Sequence, residues 1–269
     1  MDSTASSIDF AVIGHQDSWQ NITAFVNDIR GGSMDELSCE KIKNIFPFIP
    51  PRDIFKIHVA SKTGIEINGV YIETFIDPDK LGAQFIRTNI TKVISAASYA
   101  KKMGAKIVTL GGFTSIVLEG NVDSLSSTET KFTTGNTLTA AYVVKGLEKA
   151  AIQSGITLNE SNVLIVGGTG DIGMACINYL KNKIKKLILC ARNLKRLKEI
   201  SLHLSEEENI SVDYSDCLQD VIVEADIIIC VASSTGIQMT NCKRNVLICD
   251  AGYPKNLEAK INNQSGVKL

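Results

Sequence analysis

The sequence has few of the residues that build metal or thiol-redox sites. Its 269 residues include only three histidines, His15, His58 and His203, which lie far apart and lack the spacing of metal ligands. The seven cysteines form no C-x-x-C pair. Because a structural zinc site takes closely spaced cysteine and histidine ligands, the sequence predicts no metal site.

Excess charge and long apolar runs are missing as well. Charged residues make up 21% of the chain and the formal net charge is -1, so no basic face for nucleic acid is indicated. No apolar run approaches the ~18 residues that span a membrane, and the N-terminus lacks the pattern of a signal peptide. An odd number of cysteines without framework spacing is typical of reduced thiols. We therefore predict a cytoplasmic protein without a membrane span.

The clearest motif that is present is a glycine cluster in Asn162–Gly173, which reads N-V-L-I-V-G-G-T-G-D-I-G. An apolar strand pattern enters it and a helical pattern leaves it, and the spacing G-x-x-G-x-x-G is a variant of the dinucleotide-binding fingerprint. Glycines there let the chain turn, approach a pyrophosphate and pack the helix on the sheet. The predicted cofactor-binding residues of this segment are Gly167, Gly168, Thr169, Gly170, Asp171, Ile172 and Gly173. The sequence contains no G-x-S-x-G, H-E-x-x-H or P-loop lysine motif, so hydrolase and kinase chemistry have no support.

Strand and helix patterns alternate along the chain, which favours an α/β fold. In the second half, near-continuous apolar strands lie between helices, a pattern typical of a Rossmann-type, doubly wound parallel sheet. We expect an N-terminal α/β substrate domain over residues 1–157 and an NADP-binding domain over residues 158–269. In the first domain, Lys56–Ala60 and Ile65–Phe75 alternate like strands, with Asn68-Gly69 as a turn signal.

The residues after the second strand of the NADP-binding domain indicate which nucleotide binds. An NAD site places an Asp or Glu there to bond the ribose 2′-hydroxyl. Leu189–Asn193 contains no acid, and the next one is Glu199. Arg192 instead suits a 2′-phosphate, with Asn193 and Arg196 as further contacts. The alternative is that these are ordinary exposed cations at a helix start. We predict NADPH.

Further candidate residues follow strand ends, where ligands bind in open α/β sheets. For the cofactor these are Ala232, Ser233 and Gly252. For the substrate they are Ser115, Thr134, Asn136, Tyr253 and Lys255. The substrate candidates have structural alternatives: loop flexibility for the segment around Ser115, hydroxyl capping for that around Thr134, packing for Tyr253 and solvation for Lys255.

Five motifs occur in a fixed order: Leu110–Val117 (L-G-G-F-T-S-I-V), Phe132–Thr137 (F-T-T-G-N-T), Gly167–Gly173, Val231–Ser233 (V-A-S) and Asp250–Asn256 (D-A-G-Y-P-K-N). Together they resemble the cyanobacterial-type long-chain acyl-[acyl-carrier-protein] reductases, which make fatty aldehydes. The likeness runs over nearly the whole chain. The layout is more distantly similar to glutamyl-tRNA reductase and shikimate dehydrogenase, in which a catalytic domain precedes an NADPH domain.

The resemblance implies NADPH-dependent reduction of an acyl-carrier-protein or acyl-CoA thioester to an aldehyde. It also implies a covalent step on a cysteine, which in the family lies in a helical segment beyond the Rossmann-type sheet. Because Gly266–Leu269 resembles the start of a further strand, we expect that segment to be missing here, and the catalytic residue is unknown. Cysteines in apolar strands should be inert, and Cys242, beside Lys243 and Arg244, is the best substitute.

Two other hypotheses stay open. One is a shikimate-dehydrogenase-like NADPH reductase of a small carbonyl substrate, which needs no cysteine. The other is a catalytically silent module that binds NADPH or the carrier protein.

Overall fold

Two five-stranded sheets, one in each half of the chain, form the framework of the protein. The computed structural model describes residues 8–31, 37–81, 83–118, 121–207, 210–234, 236–252 and 255–257. The chain divides into two compact units, Met1–Gly135 and Asn136–Leu269.

The first unit is an α/β sheet with one antiparallel edge strand. Its strands are β1 (Phe10–Gly14), β2 (Arg52–Ala60), β3 (Glu66–Glu73), β4 (Ile107–Leu110) and β5 (Lys131–Thr133). Its helices are α1 (Trp19–Ile29), α2 (Cys39–Ile45), α3 (Ile86–Lys102) and α4 (Phe113–Val117). The strand order is β2-β3-β1-β4-β5, and only β2 runs antiparallel to its neighbour.

Small side chains on α3 let this helix lie close to the first sheet. Val93, Ala96, Ala97 and Ala100 recur at helical spacing and are buried against apolar residues of β1 and β3. At the start of α1, the hydroxyl of Ser18 accepts a hydrogen bond from the Asn21 amide, as an N-cap serine does.

The turn between β2 and β3 differs from the prediction. Asn68-Gly69 lies inside β3, so that turn assignment was wrong, and the chain reverses between Ser61 and Ile65 instead. The glycine at 69 serves packing, because a Cβ there would lie 2.4 Å from the ring of Phe10. The sequence patterns also missed α2 and β5, which are too short to show a clear period.

The second unit is a fully parallel sheet with the strand order β10-β9-β6-β7-β8. Its strands are β6 (Asn162–Val166), β7 (Lys186–Cys190), β8 (Val212–Ser215), β9 (Ile227–Cys230) and β10 (Leu247–Asp250). Its helices are α5 (Asn136–Ser154), α6 (Asp171–Leu180), α7 (Leu194–Glu207) and α8 (Leu218–Val221). Short 3₁₀ turns complete both units, at Phe46–Phe48, Pro78–Lys80, Ala83–Phe85, Val122–Leu125, Leu158–Glu160 and Ile222–Glu224.

Both faces of this second sheet are buried, which explains its near-continuous apolar strands. Val163 and Ile165 of β6 face a core shared with α5, α6 and α7. Leu164 and Val166 face the opposite core, which α8 and the segment before β10 cover. This alternation is that of a doubly wound sheet, and the predicted α/β fold class is confirmed.

Helix α5 belongs to the second unit, although the sequence placed it at the end of the first domain. Its apolar face, which includes Val143, Val144 and Leu147, is buried in the same core as β6 and α6. The division between the units falls after residue 135, whereas the sequence analysis expected a boundary after residue 157.

The second sheet reverses its winding direction at β6. From there the chain moves outward through β7 and β8, then returns to β9 and β10 on the other side of β6. In open parallel sheets this switch point leaves a crevice at the carboxyl ends of the two central strands, where ligands bind. Those ends are Val166 and Cys230, which are register partners.

Candidate functional site

The turn after β6 lies directly against the backbone that follows β9. Gly167 has a φ of 92°, and a Cβ there would lie 2.7 Å from the Ala232 nitrogen. Its own amide donates to the Cys190 carbonyl at 2.8 Å, which ties the turn to the end of β7. Only glycine combines this left-handed conformation with so close an approach.

The start of α6 is equally close to this turn. A Cβ on Gly173 would lie 2.4 Å from the Gly167 carbonyl oxygen. The N-cap of the ten-residue helix is Gly170, which has no side chain to accept bonds from the first-turn amides. The positive end of the helix dipole at such a start favours an anion, so this turn suits the predicted pyrophosphate contact.

Asp171, the first residue of α6, contacts a residue that was predicted to bind substrate. Its carboxylate accepts a hydrogen bond from the Asn136 side-chain amide at 3.3 Å. Asn136 begins α5, so the two predicted site residues join the starts of two helices. Thr169 and Ile172, on either side of this acid, are half-buried.

The predicted phosphate-binding arginine is on the surface, after β7. Arg192 and Arg196 are exposed at the start of α7. The carboxamide oxygen of Asn193 accepts the Arg196 amide at 3.1 Å, so Asn193 caps this helix. The cap fixes the backbone from which both guanidinium groups extend.

Beyond β9, Ala232 is half-buried and Ser233 is exposed at the crevice edge. The amide of Val231 still pairs with the Val166 carbonyl at 2.9 Å, so β9 stays bound to β6 up to this point. The buried Gly252 lies at the corresponding end of β10.

Two residues that sequence reasoning did not assign organise the end of β10. The carboxylate of Asp250 accepts the backbone amides of Gly252, Asn256 and Leu257 at 3.0, 3.3 and 3.0 Å. The side chain of Asn256 is fully buried and bonds to the backbone after β9. An acid followed by glycine two residues later is the signal of an Asx turn, and it was available in the sequence.

Of the two substrate candidates predicted in this segment, the structure describes only Lys255. Lys255 is exposed, and its ammonium group donates to the Asp250 carbonyl at 2.7 Å. Tyr253 lies outside the described residues. The predicted roles of both side chains towards substrate stay predictions.

In the first unit, His15 connects the ends of β1 and β4. Its Nδ1 donates to the Gln16 carbonyl at 2.9 Å, and its Nε2 accepts the Phe113 amide at 3.1 Å. These partners require a neutral imidazole, and burial lowers the pKa of His15 in agreement with that. The Phe113 amide begins α4, on which Ser115 is half-buried and donates to the Gly112 carbonyl.

Glu73, at the end of β3, is a fully buried carboxyl group that the sequence analysis missed. It accepts hydrogen bonds from the Tyr71 hydroxyl at 3.0 Å, the Phe75 amide at 3.1 Å and the Gln16 side chain at 3.4 Å. Burial raises the pKa of Glu73, and these hydrogen bonds oppose that rise. The alternation of β3 contains a signal for this burial, because Tyr71 and Glu73 share a face.

Thr134, which was predicted to bind substrate, follows β5 and is half-buried.

Three cysteines of the second unit, Cys176, Cys190 and Cys230, are buried like small apolar residues, and Cys249 is half-buried. Burial raises the pKa of Cys176 to about 12 and that of Cys190 to about 11, and it also raises the pKa values of Cys230 and Cys249. A raised pKa leaves little thiolate at neutral pH, which agrees with the prediction that these thiols are inert.

Cys242 is not the activated thiol that its neighbours suggested. Its thiol donates to the Met239 carbonyl, and burial raises its pKa. Lys243 is paired with Asp226 at 2.7 Å, so its charge is engaged elsewhere. Adjacency in sequence did not produce a contact that would stabilise a thiolate.

Two further features concern the described part of the chain. Within it, no group of three or more histidine, cysteine or acidic side chains is arranged to hold a metal ion. None of its helices is long and apolar enough to cross a membrane.

The chain is similar to known proteins over different parts of its length. The family model of shikimate / quinate 5-dehydrogenase matches residues 148–269. The chain is 35% identical to a long-chain acyl-[acyl-carrier-protein] reductase of Synechococcus elongatus, over 95% of this chain and 75% of that protein. It is 26% identical to a glutamyl-tRNA reductase of Pasteurella multocida, over 49% of this chain and 32% of that protein. A shikimate dehydrogenase structure from Aquifex aeolicus is similar over 91% of this chain and 79% of its own, with a TM-score of 0.46 and 13% identity.

Because α6 lies close to the glycine turn, replacing Gly173 by alanine should destabilise the protein, whereas the same change at an uncrowded glycine should not. Gly173→Ala places a methyl group 2.4 Å from the Gly167 carbonyl oxygen, so the helix must shift. We expect the free energy of unfolding to fall by roughly 1–3 kcal/mol and cofactor binding to weaken. Chemical denaturation and cofactor titration measure both.

Gly146→Ala is the matched control, because it adds the same methyl group within α5, where nothing lies within 4 Å. It should leave binding unchanged and stabilise the protein by up to about 1 kcal/mol. Equal stability of the Gly173→Ala variant and the unsubstituted protein would contradict the close approach.

The buried carboxyl of Glu73 predicts a pH dependence of stability. Because its pKa is raised above the unfolded value of ~4.3, the folded state holds the proton longer. The free energy of unfolding should therefore fall as pH rises from that value through the folded pKa. Glu73→Gln cannot titrate, so it should gain stability relative to the unsubstituted protein over that interval, as measured by denaturation at several pH values. Parallel curves for both proteins would exclude this role of Glu73.

Proposed function

The chain belongs to the long-chain acyl-[acyl-carrier-protein] reductase family, and on that premise we propose that it reduces a long-chain acyl thioester to the corresponding aldehyde. The family predicted from the five motifs is confirmed. The proposed reaction adds one hydride to the thioester carbonyl carbon, breaks the carbon–sulfur bond and protonates the departing thiolate. Acyl thioester, NADPH and a proton thus give aldehyde, thiol and NADP⁺.

The protein is an NADPH-dependent oxidoreductase. The close approach of Gly167 and Gly173 is the structural observation that supports a dinucleotide site. NADPH, when bound, supplies the hydride. We propose that the first-turn amides of α6 hold the pyrophosphate and that Arg192 binds the 2′-phosphate. Ala232 and Ser233 are the proposed contacts on the nicotinamide side, at the end of β9.

Each unit has its own proposed substrate contacts. In the first unit these are Ser115 and Thr134, which follow β4 and β5. In the second unit Asn136 and Lys255 are the described candidates. The neutral imidazole of His15 holds the first residue of α4, and so it fixes the turn that carries Ser115. An acyl carrier protein or acyl-CoA is the proposed donor of the acyl group, in the cytoplasm.

A small carbonyl substrate is less well supported. The shikimate / quinate 5-dehydrogenase model matches residues 148–269, which lie within the second unit, where the proposed cofactor contacts are. The similarity to the acyl-[acyl-carrier-protein] reductase extends over 95% of the chain and so includes the first unit. The longer similarity therefore favours the acyl thioester.

A direct assay tests the proposed reaction. Hexadecanoyl-acyl-carrier protein and hexadecanoyl-CoA are incubated with the protein and NADPH, and the aldehyde is extracted and measured by mass spectrometry. We expect aldehyde in proportion to the NADPH consumed. Retained NADPH binding without aldehyde from either donor would overturn the proposal, and oxidation of shikimate or quinate with NADP⁺ would favour the small-substrate alternative.

The proposed 2′-phosphate contact predicts a change in cofactor preference. Arg192→Glu replaces a charge-assisted hydrogen-bond donor by a like charge facing the phosphate. We expect roughly 10- to 100-fold weaker binding of NADPH, with a much smaller change for NADH. Fluorescence titration of both nucleotides measures the ratio.

Lys198→Glu provides the matched control, since it makes the same change of charge at another exposed position of α7. Its effect on both nucleotides should be small and similar. An equal loss of NADPH and NADH affinity in Arg192→Glu would refute the assignment of Arg192.

A further inference from the structure

The side chain of Asn256 acts as a hydrogen-bonding partner for the backbone that continues β9. Its Oδ1 accepts the Ala232 amide at 3.0 Å, and its Nδ2 donates to the Ala232 carbonyl at 2.8 Å. The same Nδ2 also donates to the Ser234 carbonyl at 2.6 Å. Both polar groups of Ala232 are therefore paired by one carboxamide after the regular strand has ended.

Asn256 itself is held in place by its surroundings. The side chain is 0% exposed. Its amide donates to the Asp250 carboxylate at 3.3 Å, and its carbonyl accepts the Ile237 amide at 2.8 Å. A Cβ on Gly252 would lie 2.3 Å from the Asn256 Nδ2, so the backbone after β10 leaves room for this carboxamide and little more.

The segment that Asn256 holds is also the one that the glycine turn contacts. A Cβ on Gly167 would lie only 2.7 Å from the Ala232 nitrogen and 2.8 Å from its Cα. The position of Ala232 therefore sets the separation between the pyrophosphate side of the crevice and the end of β9. A shift of Ala232 would change the cofactor-facing surface of both strands.

We propose that Asn256 is a positioning residue for the cofactor: by pairing with Ala232 and Ser234, it fixes the segment against which the nicotinamide half of NADPH lies. This inference rests on the proposed assignment of Ala232 and Ser233 as cofactor contacts. Asn256 does not touch the cofactor in this role. It acts through the backbone of residues 232–234, and Asp250 supports it through the turn after β10.

The sharpest test is Asn256→Asp. The new side chain keeps an acceptor for the Ala232 amide but turns a carboxylate oxygen towards the carbonyl oxygens of Ala232 and Ser234. NADP⁺ affinity should fall roughly tenfold or more at pH ~8, because the donor is lost in a buried site. Burial and the two carbonyls favour the neutral form, which can donate again. Affinity should therefore recover as pH falls through the raised pKa of the introduced carboxyl.

The pH profile separates positioning from a purely structural role. NADP⁺ is used as the probe because it is stable in mild acid, and each value is divided by that of the unsubstituted protein at the same pH. This ratio removes the titration of the 2′-phosphate itself. Asn241→Asp is the matched control, since it adds the same charge at an exposed position whose φ of 62° Asp also tolerates.

Hydrogen exchange without cofactor gives a second readout. In Asn256→Asp at pH ~8, repulsion between the carboxylate and the carbonyl oxygens of Ala232 and Ser234 should open this segment. The Ala232 amide should then exchange faster although an acceptor for it is kept, while the amides of β6 stay protected. Asn256→Ser, which adds no charge, should show the same local change and the same loss of affinity without recovery in acid. It also supplies the test if Asn256→Asp does not fold.

Unchanged NADP⁺ affinity in both Asn256 variants, or a loss in Asn256→Asp that does not depend on pH, would overturn the proposal. A lower melting temperature with unchanged affinity would show that Asn256 stabilises the unit only. None of these measurements uses an acyl substrate. Failure to form aldehyde would therefore refute the proposed reaction and leave this result standing.

Discussion

The close contact of three backbone segments at the end of β6 is the constraint on which the second unit depends. The turn at Gly167 lies so close to Ala232 that a methyl group on the glycine would clash with it. The start of α6 at Gly173 is equally close to the Gly167 carbonyl oxygen. No side chain fits there, so a ligand can come close to the start of the helix. The positive end of the helix dipole favours an anion, and the parallel sheet places this feature at its switch point.

Much of the second unit could be predicted from sequence because its signals are local. Apolar strands such as Val163–Val166 are buried on both faces. β6 and β7 are followed by α6 and α7, which are long enough for the 3.6-residue period to show. The glycine spacing has meaning only between such a strand and such a helix, and both are present. The boundary between the units was harder to predict, because α5 packs on elements that follow it in the chain.

The parts that sequence reasoning missed depend on contacts between distant residues. Gly69 has the appearance of a turn residue, but its place is set by the ring of Phe10, which belongs to another strand. Asn256 bonds to a residue 24 positions earlier, and Glu73 accepts a hydrogen bond from a side chain 57 positions before it. A local pattern does not contain such pairs. Lys243 shows the converse: it is next to Cys242 in sequence, but its ammonium group pairs with Asp226.

The proposed cofactor site has a side made of packed backbone and a side made of an exposed side chain. A substitution affects the fold on the first side and mainly the ligand on the second. The pyrophosphate side consists of backbone whose geometry is fixed by close packing, so a change at Gly173 disturbs the fold as well as the ligand. The proposed 2′-phosphate side is an exposed arginine on a capped helix start, where Asn193 holds the backbone independently of the guanidinium group. Nucleotide preference can therefore vary through one surface residue while the binding turn is kept. This separation explains why the glycine pattern identifies a dinucleotide but says nothing about which one, and why the residues after β7 must be considered separately.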